Sequence, residues 1–301
     1  MTSSKQRSLT SGAAASLAAA LLLTGCAAEP PPEVSVAEGI TFRTDKASGA
    51  QTLTIDQTLA HVRPIVVAEN LEHLRNNLVG DAKTVHEWAQ KYGAVAGING
   101  GFFGESYDSL GRRKQLVQLC IIDGKVVAPG MPVGTALRSA IGFPSSGGAE
   151  VTWAIGTEKD GARRYEKPTK TKNGLTWRMD YALACGPRLI HRGKIDVADR
   201  AEKLVSDVRT GRMAVAVSER YLVFYRADAM TYGELARSLV EFFKTTLQSA
   251  PDEAMCLDGG PSAQMVYLDG GGLKDVEPTG VQVPTAILLV PVSSEVVKTP
   301  R

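Results

Sequence analysis

The chain runs to 301 residues, with 34 Lys and Arg against 32 Asp and Glu and a formal net charge of +2. So even a balance excludes a general nucleic-acid binder, which would carry a marked basic excess. Four His and no Cys-x-x-Cys pair argue against a Cys/His zinc site, and the length suffices for one substantial core.

Lys5 and Arg7 precede an uncharged Ala- and Leu-rich stretch from Gly12 to Leu23, and Leu23-Thr24-Gly25-Cys26 follows. A basic start, a short apolar region and a small-residue site describe a secretory signal, too short to span a bilayer. The closing four residues resemble a bacterial lipobox, in which cleavage before Cys26 leaves its thiol to carry lipid. Ala27-Ala28-Glu29-Pro30-Pro31-Pro32 reads as an extended tether. The expectation is an exported lipoprotein, held to the cell or outer membrane through Cys26 and facing the periplasm or exterior. Loss of Lys5 and Arg7 leaves 32 basic and 32 acidic residues. The layout is a signal peptide at 1–25, a tether at 26–39, one domain at 40–293 and a disordered tail at 294–301. Cys185 and Cys256 each lie inside a motif and could pair; alternatively they and Cys120 are all small buried apolar residues.

From Ile40 to Ile55 the pattern alternates in short β pieces around a turn at Ala47-Ser48-Gly49-Ala50, and Val62–Ala68 forms a strand that Pro64 assigns to an edge. Asp81 suits a helix N-cap, with Val85, Trp88, Ala89 and Tyr92 on one face and a stop at Gly93. A buried strand then runs into Ile98-Asn99-Gly100-Gly101-Phe102-Phe103. This bend puts a polar amide ahead of permissive backbone, where Asn99 can donate to and accept from a sugar hydroxyl or phosphate. The segment Glu105–Lys114 reads as a charged loop bordering a cleft.

The middle of the chain echoes itself. Leu119–Lys125 turns at Asp123-Gly124 and leads to Arg138-Ser139-Ala140-Ile141; Pro187–Lys194 turns at Arg192-Gly193 and leads to Arg212-Met213-Ala214-Val215. Arg138 and Arg212 open apolar strands, where a guanidinium can clamp a phosphate, although such an arginine also serves as a solvated end-charge. Thr231-Tyr232-Gly233-Glu234 is a capping box opening an amphipathic helix with Leu235, Leu239, Phe242, Phe243 and Leu247 inward. It feeds Met255-Cys256-Leu257-Asp258-Gly259-Gly260-Pro261-Ser262, in which an apolar strand delivers a carboxylate into a glycine bend. Asp258 could act on a ligand, Ser262 could donate to it, and the amides of Gly259 and Gly260 could hold an anion. Asp-Gly is equally a hairpin signal, and Leu268-Asp269-Gly270-Gly271-Gly272 repeats the pattern as a plain turn. Val283–Val292 supplies a last buried strand, interrupted by Pro284.

The ordered motifs at Asn99-Gly100-Gly101, Asp123-Gly124-Lys125, Gly186-Pro187-Arg188-Leu189, Arg212-Met213-Ala214-Val215 and Asp258-Gly259-Gly260-Pro261-Ser262 resemble the phosphodiester glycosidase family, and most closely its bacterial envelope branch. The resemblance spans Ile40 to Val292. With the elements above it implies an α+β fold of mixed, mostly antiparallel sheets with a few helices, in two pseudo-repeated lobes of one domain. It also implies hydrolysis of sugar-1-phosphodiesters in envelope or exopolysaccharide glycans. Ala184-Cys185, Met213 and Pro261 depart from the family's pattern.

Cleavage at C1 releases a phosphate monoester, a weak base needing little acid assistance. What remains is a carboxylate for the oxocarbenium-like transition state and donors for the phosphate. Asp258 is the candidate nucleophile or base, with Arg212 and Asn99 as its catalytic partners. Gly100, Gly101, Gly259, Gly260, Ser262 and Arg138 are candidate substrate contacts. Glu105, Asp108 and Asp207 are loop candidates for a second acid. The scheme requires no cofactor, although the oxygens of Asp258 and Asn99 would also suit Ca²⁺ or Mg²⁺. Two alternatives fit the same residues: a non-catalytic module binding a phosphorylated glycan, and a phosphoesterase acting at phosphorus.

Overall fold

The computed structural model describes residues 33–292, apart from 46–47, 75–76, 109–110, 131–135, 158–160 and 170–173. The signal segment, Cys26, the tail and Ala47 of the first expected turn lie outside the described residues. Those described are built mainly from β-strands, with two α-helices among them, and every strand pairing is antiparallel. The first strand, Glu33–Ala37, pairs with Ile40–Thr44, so ordered structure begins within the segment expected as tether.

Four sheets make up the fold. The largest has eight strands in the order Glu33–Ala37, Ile40–Thr44, Gln51–Asp56, Tyr221–Met230, Thr210–Val217, Glu253–Cys256, Arg188–His191 and Lys194–Ile195. A seven-stranded sheet follows the order Lys125–Pro129, Leu119–Ile122, Tyr181–Ala184, Arg138–Phe143, Glu150–Thr157, Gly161–Tyr165 and Leu175–Trp177. A five-stranded sheet centres on Ala96–Asn99 and carries Val62–Val67 at its edge, where Pro64 costs no ladder bond. The smallest sheet has four strands, including Phe103–Asp108 and Gly111–Leu116. Two of the sheets share part of a strand order, which does not by itself establish the expected pair of repeated lobes.

Helix α1, Val85–Tyr92, packs on the five-stranded sheet through Val85, Trp88 and Ala89. Trp88 is fully buried and donates through Nε1 to Val283 O at 3.0 Å. Its cap is Thr84 rather than Asp81: Thr84 Oγ1 accepts from Glu87 N, and the Glu87 carboxylate accepts in turn from Thr84 N. Asp81 instead accepts from Asn70 and pairs with Lys83. Gly93 ends the helix in the left-handed region, as expected. Helix α2, Tyr232–Thr246, opens on the Thr231–Glu234 capping box and buries Leu235, Leu239, Phe242 and Phe243 beside the eight-stranded sheet.

The charged segment Glu105–Lys114 is not a loop. It falls in a hairpin in which Glu105 lies directly across from Lys114, paired at 2.9 Å, and Lys114 Nζ sits 4.6 Å from the Phe103 ring centroid. Opposite charges across a ladder stabilise it as apolar pairs would, which is why a polar sequence still forms strands. We expect Thr84→Ala to lower stability by about 1 kcal/mol in urea unfolding, and Asp81→Ala to cost clearly less.

Candidate functional site

Two glycine bends from different sheets meet at one buried amide. Asn99, fully buried at the end of its strand, donates through Nδ2 to Asp258 O at 2.9 Å and to Gly100 O at 3.2 Å. Its Oδ1 accepts from Gln264 N at 3.1 Å, and Asp258 N returns a bond to Gly100 O at 3.2 Å. The amide thus fixes the main chain of Asp258 from below.

The glycines of both bends pack tightly against other neighbours. A Cβ at Gly100 would land on the Thr285 side chain, one at Gly101 would lie 2.5 Å from Ala184 O, and one at Gly259 would lie 2.7 Å from Gly211 O. At these three positions the missing side chain makes room for neighbouring chain. Gly260 differs, because its φ of +58° starts the 3₁₀ turn Gly260–Ser262 in a region that other residues disfavour. Pro261 occupies the exposed middle of that turn.

The turn aims two donors at Asp258. Gly259 N donates to Oδ1 at 2.9 Å, and the buried Ser262 hydroxyl also donates to the carboxylate. Burial outweighs these bonds and raises the carboxyl pKa to about 6. No guanidinium figures among the groups that shift it. The buried Cys185 thiol lies within electrostatic reach of Asp258, Cys256 and Arg138, and Cys120, Cys185 and Cys256 are all free thiols.

Among the described residues four arginines are buried, and they divide by partner. Arg188 lies 3.6 Å from Glu253, and Arg226 pairs with Asp228 and Glu277 at 3.0 and 2.8 Å. Arg138 and Arg212, 8% and 6% exposed, make no ion pair among the described residues. Arg138 donates to Glu202 O, while its Nε, also buried, has no acceptor among the described residues. Arg212 donates to Met230 O at 2.9 Å and Val208 O at 2.7 Å, with its guanidinium 4.1 Å from the Tyr232 ring centroid. Carbonyl oxygens solvate both guanidinia, and at Arg138 the nearby Glu202 carboxylate also favours the charged form against the cost of burial.

The structure therefore brings Asn99, Gly100, Gly101, Gly259, Gly260 and Ser262 to the Asp258 bend; the Arg212 main chain lies beside Gly259 but its guanidinium turns to Val208 O, Met230 O and Tyr232, and the Arg138 guanidinium bonds Glu202 O instead of the bend. Asn99 and Gly259 N–H are spent on the chain itself. Among the expected acids, Glu105 is taken by Lys114, Asp207 lies exposed, and the Asp108 side chain falls outside those described. No cluster of three or more His, Cys, Asp or Glu among the described residues could hold a metal ion.

Two residues escaped the sequence reading. Glu202, 0% exposed, accepts from Ser139 N, Arg188 N and Trp153 Nε1 at 2.8–3.0 Å and from the Ser139 hydroxyl, so one carboxylate ties three strands behind Arg138. Its polar surroundings in the sequence carry no periodicity that would mark it. Tyr232 sits at the first position of α2, where the capping box signalled a helix start and nothing more.

The phosphodiester glycosidase family model matches residues 92–290, and the chain belongs to that family. No curated protein matches it. Among solved structures it resembles the catalytic domain of zebrafish N-acetylglucosamine-1-phosphodiester α-N-acetylglucosaminidase auto-inhibited by its pro-peptide, with 17% identity and a TM-score of 0.54 over 84% of this chain and 82% of that one. A candidate exported protein of Burkholderia pseudomallei matches with 14% identity and a TM-score of 0.53 over 84% and 74%. A hypothetical protein of Synechocystis matches with 15% identity and a TM-score of 0.51 over 86% of this chain, which spans 61% of that one.

Asp258 also sets a stability test. A folded-state pKa raised to about 6 means that ionisation opposes folding: the penalty is absent near pH 4, grows up to pH 6 and is complete above it. Asp258→Asn should therefore gain up to about 3 kcal/mol at pH 7 and nothing near pH 4, read by denaturant unfolding at both pH values.

Proposed function

We propose that the chain is a hydrolase of sugar-1-phosphodiesters, cleaving the C1–O bond of a glycan phosphodiester in the cell envelope. The observation that carries this reading is the Asp258 carboxylate, half-buried at a glycine bend where Gly259 N–H and Ser262 hold it, with the Arg212 main chain next to that bend. The sugar of a phosphodiester presents an electrophilic carbon to Asp258. Asp258 attacks C1 or activates the water that does so. Hydrogen bonds from Gly259 N and Ser262 orient it, and Asn99 acts as a positioning residue through the Asp258 main chain. The departing phosphate monoester is a weak base and needs little acid assistance.

Hydrolysis of an α-N-acetylglucosaminyl phosphodiester in ¹⁸O-labelled water should leave the released phosphate unlabelled; label in phosphate would mean attack at phosphorus and refute the assignment. Asp258→Asn should lower kcat by at least about 10³-fold. The wild-type rate should fall as pH drops through about 6, where the required carboxylate takes up a proton.

The place of action follows from the N-terminus. Cys26 after its apolar run makes the chain a lipoprotein held at the membrane surface, and no helix among the described residues is long and apolar enough to cross a membrane. Cys26→Ser should abolish acylation and move the protein from the membrane fraction to the soluble one. A membrane-bound, acylated Cys26→Ser product would overturn the anchor.

A further inference from the structure

A cavity of about 420 Å³ opens where three of the sheets converge, away from the Asp258 bend. Ile55 comes to it from the eight-stranded sheet, Phe143 and Tyr181 from the seven-stranded sheet and Val62 from the five-stranded one. Walls drawn from three sheets are set before any ligand arrives. The strand Tyr181–Ala184 runs between the two places. Its Ala184 end lies against Gly101 of the bends, and Tyr181 stands three residues back, roughly 10 Å away.

The lining has a mixed chemistry. Phe143 and Tyr181 are buried and give it an apolar, aromatic floor, and the Tyr181 ring is held in place by the bond from its hydroxyl to Asp123. Four polar side chains line the same space: Gln57, Arg63, Ser145 and Asp180. The Arg63 guanidinium lies 5.4 Å from the Tyr181 ring centroid, and neither it nor the Asp180 carboxylate makes an ion pair among the described residues. Gln57 donates through Nε2 to Ser218 O at 3.3 Å, which leaves its carbonyl oxygen to accept. Among the described residues, then, one cation, one anion, one amide and one hydroxyl share the lining with aromatic and aliphatic carbon. A wholly apolar ligand would strip water from both charges and return no hydrogen bond, and an ion of either sign would meet a like charge. A neutral ligand with an apolar face and hydroxyls around its edge meets neither penalty, and a pyranose ring has that form. Arginine only donates and a carboxylate only accepts, so Arg63 and Asp180 serve the two sides of a hydroxyl's hydrogen bonding.

We propose that this cavity is a saccharide-binding site separate from the Asp258 bend. It takes a neutral unit of one or two sugars, with Phe143 and Tyr181 against the apolar face and Arg63, Asp180 and Gln57 on the hydroxyls. The site holds its sugar without bond breaking, so it stands independently of the hydrolase reading.

The test titrates the isotope-labelled full chain with cellobiose, maltose and N,N′-diacetylchitobiose and follows its amide resonances. At least one disaccharide should bind at millimolar concentration and shift the amides of Arg63, Ser145 and Asp180. Arg63→Ala and Asp180→Ala should each weaken that binding about 10- to 100-fold, as expected for loss of a hydrogen bond to a charged group. Asp258→Asn should bind the sugar as wild type does, and Arg63→Ala should turn over a small sugar phosphodiester at the wild-type rate, so the two sites are scored separately. Should either alanine variant not fold, Ser145→Trp at its exposed turn plugs the cavity and should abolish binding. Failure of all three disaccharides to bind overturns the proposal. So does binding that these substitutions leave untouched, or binding that Asp258→Asn removes, since the sugar then sits elsewhere. Decanoate shifting the same amides while the sugars do not also overturns it, in favour of an anionic amphiphile.

Discussion

The whole site hangs on one buried side-chain amide. Asn99 has a single carbonyl oxygen and two N–H groups, and it uses them to join the end of one sheet to the bend leaving another. An aspartate in its place could not donate, and a leucine would leave Asp258 O and Gln264 N without partners in a region closed to water. Because the bond goes to the main chain of Asp258, the carboxylate position is set before any substrate arrives. Gly100, Gly101 and Gly259 are required for other reasons, because Thr285, Ala184 O and Gly211 O occupy the space their Cβ atoms would need.

Charge is distributed around that junction with a clear division. Arg188 and Arg226 are neutralised by acids and behave as braces; Arg226 also donates to Ala263 O, just after the turn carrying Ser262. Glu202 accepts from Ser139, Trp153 and Arg188 N with its carboxylate and from Arg138 with its carbonyl, and the carboxylate's charge also favours the Arg138 cation. The cost of burying Arg138 and Arg212 is met by carbonyls and an aromatic face.

Much of this was legible in the sequence because the motifs obey local rules. Gly-containing bends at strand ends, the capping box at Thr231 and the turns at Asp123-Gly124 and Arg192-Gly193 depend on neighbours in the chain, and both turns take left-handed backbone as the residue types suggest. The misplacements came where partners are distant or patterns ambiguous. Asp81 and Thr84 are both good capping residues, and only the reciprocal Glu87 three positions on selects Thr84. The hairpin from Phe103 to Leu116 is polar because one cross-strand ion pair does what apolar alternation does elsewhere. Glu202 and Tyr232 were invisible because their roles exist only once strands far apart in sequence have been brought together.

The strand order gives two arginines far apart in sequence equivalent positions in two sheets. In the seven-stranded sheet Tyr181–Ala184 slots between the Leu119–Ile122 and Arg138–Phe143 strands; in the eight-stranded sheet Glu253–Cys256 slots between Arg188–His191 and Thr210–Val217 in the same way. Registers agree as well: Ala140 faces Ala184 and Ala214 faces Cys256, so Arg138 and Arg212 each stand two residues before the alanine of an equivalent pair. The inserted strand leads in one case to Cys185-Gly186 and in the other to Leu257-Asp258, and by this register Gly186 and Asp258 occupy matching places. One position is a glycine against which the Glu202 carboxylate is packed, and the other is the acid itself. Matching strand order thus sets Arg138 and Arg212 at equivalent positions in two sheets, while the residues after the inserted strands differ.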